Sequence, residues 1–349
     1  KCPNCGEENW GELKSQNLMF NTKIGVGSSA REGFLRPETA QGMFTSFPAL
    51  YRHFRERLPF GAIQTGKGYR NEISPRQGMI RLREFNMAEL EYFIDPNSDV
   101  NHDFSNLNYE VVLIPDDEKE IQIEINKATE MGIIRHPTVG YFMALTYEFL
   151  INIGINPQYI RFRQHLSTEM AHYAQDCWDA EILGSYGWIE CVGIAHRGCY
   201  DLEAHENATG QRLRAWRLFD EPKEIQKDGW TVDGSKAGPA FRQLSQKVKQ
   251  YVETLPPESN FPITTSIDGT EIEIHEEHVK RVQTKEMISG EWYIPHVVEP
   301  AFGIDRIIWH LIDHTFKEIE KSNEIYNRLE LPDVVAPVDV AVLPLFEKD

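Results

Sequence analysis

Residues 63–72 and 84–94 read as two long β runs, and apolar and polar positions alternate through much of the second, the pattern of a half-buried strand. The eleven residues between them, ISPRQGMIRLR, carry Pro75 and Gly78 and mark a long turn, so the two strands should pair antiparallel. The most apolar stretch, 139–153, is too short for a bilayer and contains Glu148, which predicts a buried helix. Helical spacing also covers 39–57, 305–320 and 241–255, the last with Leu244, Val248, Tyr251, Val252 and Leu255 on one stripe. LMFNTKIG at 18–25 and VAPVDVAVLPL at 335–345 read as further β runs. The Asn, Asp, Pro and Ser of 95–103 signal a boundary after which an insertion begins, and the irregular region 205–293 reads as a second insertion. No internal repeat interrupts this order.

With 41% hydrophobic and 26% charged residues over 349 positions, the chain is globular rather than disordered or fibrous. Five cysteines are too few for a disulfide framework in a chain this long, and neither a membrane span nor a signal-peptide pattern stands out, which makes the cytoplasm the default compartment. The net charge of −18 disfavours nucleic acid as a partner for the bulk surface. A local basic strip of Arg161, Arg163 and His165 could still meet a phosphate backbone, while DDEKE at 116–120 reads as a solvated acidic face.

The candidate chemistry is concentrated around the first strand pair. In GYRNE, 68–72, alternation sends Arg70 and Glu72 to one face and Tyr69 and Asn71 to the other. Arg81 and Arg83 follow in the turn, and Phe85, Met87, Glu89 and Glu91 share a face of the returning strand. Arginines suit phosphate because each guanidinium forks onto two oxygens and keeps its charge, and Phe85 could stack on a base. Alone, the same residues describe a sheet face laced with salt bridges. EPAFGIDR, 299–306, places Glu299, Ala301 and Gly303 on one strand face and Arg306 at a helix start, where Gly303 permits close backbone approach. Its simpler reading is a strand-to-helix junction capped by Asp305.

Together these two constellations resemble the second and third signature motifs of class II aminoacyl-tRNA synthetases. RPETAQGMF at 36–44, YRNEISPR at 69–76, REFNMAELEYF at 83–93, HYAQDCWDAE at 172–181, YGWIECVG at 186–193 and GCYDL at 198–202 narrow the resemblance to glycyl-tRNA synthetases of the archaeal and eukaryotic dimeric type. It covers nearly the whole chain. The resemblance implies an α+β fold, an antiparallel sheet flanked by helices, with inserted subdomains. It divides the chain into core 1–98, a mainly helical insertion 99–160, core 161–204, a second insertion 205–293, core 294–330, and the start of an anticodon-binding domain at 331–349. It further implies ATP-dependent activation of glycine, transfer to tRNA(Gly), and a homodimer in the complete form. Arg70 and Arg306 would be catalytic. The ATP site would draw on Arg70, Asn71, Glu72, Ile80, Arg81, Leu82, Arg83, Glu84, Phe85, Glu190, Cys191, Gly303, Ile304, Asp305 and Arg306, with Mg2+ on Glu190. Glycine would meet Glu38, Phe85, Asn86, Met87, Ala88, Glu89, Arg197, Glu299, Pro300, Ala301, Phe302 and Gly303. Excluding larger substrates by overlap needs no editing domain.

The chain departs from that pattern at two positions. Ala301 replaces a serine whose hydroxyl contacts glycine in the family, a loss worth about 0.5–1.5 kcal/mol. His196 stands where an aspartate precedes Arg197, which predicts a less firmly oriented guanidinium. Cys2 and Cys5 in KCPNCG supply half of a tetrahedral zinc set, with no second close pair elsewhere. Two other readings stay open: an adenylating paralogue that charges a carrier or another small amino acid, and a module that kept the fold without the catalysis.

Overall fold

The computed structural model describes Gly6 and residues 15–75, 78–98, 102–166, 168, 176–322 and 324–343. In chain order the elements are β1 (Asn21–Ile24), β2 (Arg31–Phe34), α1 (Ala40–Thr45), α2 (Phe47–His53), β3 (Phe60–Tyr69), β4 (Glu84–Ile94), β5 (Glu110–Ile114) and β6 (Ile121–Glu124). There follow α3 (Ile125–Glu130), α4 (Pro137–Asn152), β7 (Ile160–Gln164), β8 (Asp176–Gly184), β9 (Gly187–Gly198), α5 (Tyr200–Thr209), β10 (Ala215–Val232), α6 (Gly234–Phe241) and α7 (Ser245–Val252). Last come β11 (Ile263–Ile267), β12 (Thr270–Ile274), β13 (Val279–Tyr293), β14 (His296–Gly303), α8 (Ile304–Thr315), β15 (Phe316–Lys321) and β16 (Glu324–Leu329). Two compact units result, one of residues 1–215 with 294–349 and one of 216–293.

The first unit is built on an eight-stranded sheet ordered β3-β4-β14-β9-β8-β7-β5-β6, antiparallel except where β5 runs parallel to β7. β3 and β4 pair antiparallel as the long turn between them predicts, Phe60 opposite Phe93 and Tyr69 opposite Glu84. Alternate residues of the central strands have opposite fates. Trp178, Ala180 and Ile182 of β8, Val192 and Ile194 of β9 and Phe162 of β7 are fully buried in a core with Val139, Met143 and Leu150 of α4. The odd positions Cys177, Asp179 and Glu181 face the other way, as do Glu89 of β4 and Glu299 of β14. One face thus stabilises the unit and the other carries polar side chains. A cluster of Phe44, Phe47, Phe60 and Phe93 seats α1 and α2 over the β3–β4 end of that second face.

Several elements differ from expectation for identifiable reasons. The helix expected over 39–57 breaks at Ser46 into α1 and α2, because Pro48 has no N–H for a preceding turn and sits in the first turn of α2 instead. The helix expected over 305–320 ends at Thr315, beyond which FKEIEK alternates and pairs with β16. The helix expected over 241–255 is a short 3-10 turn followed by α7. Residues 110–114 and 121–124, placed in a mainly helical insertion, are strands that extend the large sheet. The terminal apolar run forms no strand as far as residue 343, where Val338, Val340 and Val342 stand exposed. A strand there would need a neighbouring edge for its backbone groups, and none is paired with it among the described residues.

The second unit has its own core of Trp230, Val248, Val252, Ile272, Ile274 and Val279. Long strands β10 and β13 pair with each other, and β11 and β12 form a hairpin around Asp268 and Gly269, both at positive φ.

Candidate active site

On the polar face of the large sheet lies a cavity of about 310 Å³, wholly within the first unit. Its walls are the alternate residues of four adjacent strands: Phe85, Met87 and Glu89 of β4, Glu299, Ala301 and Gly303 of β14, Glu190, Gly193 and Arg197 of β9, and Cys177 and Asp179 of β8. Arg70, Glu72, Ile80, Arg81 and Leu82 of the β3–β4 connection close one side, and Glu38, ahead of α1, closes another.

One end of the cavity is acidic and tightly bonded. Arg197 donates to Glu299 at 2.6 Å and forks onto both oxygens of Asp201 at 2.8 and 3.0 Å, with Glu38 at 3.7 Å. Burial works against the Arg197 charge, but Glu299 and Asp201 more than restore it and hold its pKa above the ordinary value. The expectation that His196 leaves Arg197 loosely oriented is therefore overturned: Asp201, at the start of α5, clamps it. Sequence reasoning missed Asp201, because its approach depends on the strand-to-helix turn at Cys199; the (i, i+4) spacing from Arg197 was the available signal. Glu89 accepts hydrogen bonds from Thr39, through the backbone N–H at 2.6 Å and through the hydroxyl. Burial raises the pKa of Glu89 despite these bonds, and raises that of Glu299 to about 7 against the pull of Arg197.

The other end is cationic. Arg70 begins where β3 ends, so strand alternation does not extend to it, yet it and Glu72 both reach the cavity. The Arg70 guanidinium lies over the Phe85 ring, 5.4 Å from its centroid. Arg306 donates to the carbonyls of Ile80 at 3.1 Å and Glu190 at 2.6 Å, and its guanidinium stands 3.3 Å from the Glu190 carboxylate. Asp305 accepts from both the backbone and side-chain nitrogens of Asn86, at 2.6 and 2.9 Å, tying the start of α8 to β4. The capping role considered for Asp305 gives way to this cross-link.

Some expected residues point elsewhere. Arg83 bonds to the Glu72 carbonyl at 3.0 Å, Asn71 accepts from Gln16 and donates to Asn17, and Glu84 pairs with Lys67. Ala88, Pro300 and Ile304 face the apolar side of the sheet beside Leu90 and Phe149, as alternation requires. The basic strip is consumed by acids of β8, Arg161 and Arg163 by Glu181 and His165 by Asp179. Cys2 and Cys5 lie outside the described residues.

His165, Cys177 and Asp179 form a wall that sequence reasoning did not assign, their ligand atoms all within 4.8 Å of one another. The hydrogen bond with Asp179, 2.8 Å long, raises the pKa of His165, while burial raises those of Asp179 and the Cys177 thiol. A thiol so held stays protonated and is no nucleophile.

A deep acidic end, an arginine-lined mouth and a strand-to-helix corner on one antiparallel sheet define a class II tRNA synthetase core, and the family model described as tRNA synthetase class II core domain (G, H, P, S and T) matches residues 24–131. The chain is 46% identical to the glycine–tRNA ligase of Methanocaldococcus jannaschii, covering 100% of this chain and 63% of that one, and 45% identical to that of Archaeoglobus fulgidus over 95% and 59%. The chain is thus similar over its length to glycine–tRNA ligases, and it spans about three-fifths of the length of the curated relatives it matches. Among solved structures, the prolyl-tRNA synthetase of Giardia lamblia has a TM-score of 0.45 at 11% identity, covering 92% of this chain and 40% of that one.

Proposed function

We propose that this chain is the adenylating portion of a glycine–tRNA ligase, which joins glycine to ATP as an adenylate and passes it to tRNA(Gly). The observation that carries this reading is the polarity of a single cavity: arginines 70, 81 and 306 at one end, and Glu38, Glu89 and Glu299 around Arg197 at the other. A nucleotide triphosphate matches the first and an α-ammonium the second. Glycine offers no side chain, so its two charged groups and the space beyond them must carry recognition.

In this reading Arg70 sits against the α-phosphate, where an attacking glycine carboxylate concentrates negative charge, and Phe85 offers its ring to the adenine. No carboxylate pairs with Arg70 among the described residues, which leaves its charge for an anion. Arg81 and Arg306 line the cavity and suit the terminal phosphate, whereas Arg83 is not among the lining residues. Attack at phosphorus expels pyrophosphate, and no side chain of the protein becomes covalently attached. Glu190 lines the cavity with Asp179 on the neighbouring strand, hard oxygen donors that fit Mg2+. When bound there, Mg2+ would offset charge on the departing phosphates.

The test is glycine-dependent ATP–pyrophosphate exchange measured over all amino acids. Glycine should support exchange, and Arg70→Ala should lower it on the order of 100-fold or more; undiminished exchange in that variant contradicts the phosphate role. Ala301, on the cavity wall in place of a hydroxyl, favours a second reading, activation of another small amino acid, which alanine and serine in the same assay decide. The family also supports a homodimer, an anticodon-binding domain beginning within 331–349 and a cytoplasmic location. Among the described residues no helix is long and apolar enough to cross a membrane.

A further inference from the structure

Beneath the acidic end of the cavity lies a carboxyl group to which the mechanism above gives no task. Glu91 follows Glu89 by two positions on β4 and so points to the same face, but one step deeper, where its accessible surface is zero. Neither of its oxygens accepts a hydrogen bond from any described group. Its neighbours make ionisation worse. The register of β14 on β4, with Val298 opposite Tyr92 and Ala301 opposite Glu89, sets Glu299 beside Glu91; Glu89 adds a second negative charge, and Arg197 is the cation that opposes them. Glu38 and Asp201 also crowd that guanidinium, so its charge is already shared by carboxylates that hold it directly.

Two ionised carboxylates cannot hydrogen-bond, since both only accept. One proton between them changes that. Glu299 receives the Arg197 N–H at 2.6 Å and is thereby favoured as the anion, which leaves the proton on Glu91. Burial first, and then Glu299, hold Glu91 well above the ordinary carboxylate range, in the same direction.

We infer that Glu91 is a positioning residue of the amino-acid site: as a neutral carboxyl it donates a hydrogen bond to Glu299 from below and fixes that carboxylate between itself and Arg197. The inference rests on the proposed function only for the word amino-acid; the protonated pair is a property of the fold. Its consequence for binding is that Glu299 cannot rotate away from the cavity, and that the deep acid contributes order without adding a further negative charge. A glutamine keeps the shape, the neutrality and an N–H donor. A leucine keeps the volume and neither of the others.

Infrared spectroscopy on the whole chain at pH 8 tests the proton directly. The wild type should show a protonated-carboxyl C=O band that Glu91→Gln removes; no such band, or one that survives the substitution, overturns the inference. Exchange kinetics test the positioning. Glu91→Gln should hold KM for glycine within about threefold, while Glu91→Leu should raise it roughly tenfold or more, with KM for ATP unchanged in both. Equal losses in the two variants would mean that a negative charge is what matters, and an unchanged KM in Glu91→Leu would mean that the bond positions nothing; either sinks the inference. If Glu91→Leu does not fold, the glutamine variant and its infrared band still decide. Wild-type protein that supports no exchange with glycine would refute the proposed function while the infrared result still stood for or against Glu91.

Discussion

Arg70, Phe85 and Gly68 show how much a single position can decide. A Cβ on Gly68 would stand 2.7–2.8 Å from the Phe85 ring and the Met87 sulfur, so only glycine lets the ring lie across β3 under the Arg70 guanidinium. Gly68→Ala should push the ring off its seat and raise KM for ATP by about tenfold, and should cost about 1–3 kcal/mol of stability because the Cβ also meets the buried Met87. An unchanged KM would show that the ring has no part in nucleotide binding. The presence of Phe85, Glu89 and Glu299 in the site was legible from strand alternation, and that of Arg70 from its motif. The assignment of Arg81 rather than Arg83 to the cavity was not, because both lie between the end of β3 and the start of β4, where no strand period fixes which side a residue faces.

Among elements, the meeting of α4, β9 and β14 brings together three histidines. His136 at the N-cap of α4 stacks 4.3 Å from His196, whose Nε2 lies 3.1 Å from Nδ1 of His296. Burial, reinforced by the neighbouring imidazoles, lowers His136 to about 4 and His196 to about 3, and burial also lowers His296 against a weak opposing pull from Asp95. These groups stay neutral in the folded protein at pH values where the unfolded chain, with pKa near 6.5, already binds protons. Stability is therefore full above pH ~6.5 and falls as the pH drops through the window from ~6.5 to about 4. Urea unfolding at pH 7 and pH 5 should show this loss, with His196→Gln removing about 1–2 kcal/mol of the difference. A pH dependence identical in that variant would show that the cluster does not titrate as its burial dictates. His196 attracted notice in the sequence only as a departure beside Arg197; its real partners come from segments 60 and 100 residues away.

At the scale of the molecule the two units have separate cores, so they should unfold as separate cooperative events. Ile274 is fully buried in the smaller core, and Ile274→Ala should cost that unit about 2–5 kcal/mol. Calorimetry should show one transition moving to lower temperature and the other staying in place. A single transition that shifts as a whole would mean that the units fold as one. The second unit begins at Trp216 rather than near residue 205, because α5 packs on α1, where His205 bonds Gln41, and Glu206 of α5 holds Leu213 and Arg214; a boundary drawn on irregular composition could not detect those contacts.

The sequence by itself determined the β3–β4 pair and the faces of β4, since a period of two depends only on neighbouring residues, and it determined the resemblance to a family, since ordered motifs are a linear property. Only the tertiary structure decided which charges meet. The clamp of Asp201 on Arg197, the unpartnered carboxyl of Glu91 under Glu299 and the spending of Arg161 and Arg163 on Glu181 all join residues of different strands and helices. Electrostatic roles depend on distance and on exclusion of water, and neither is fixed until the sheet has closed around the site.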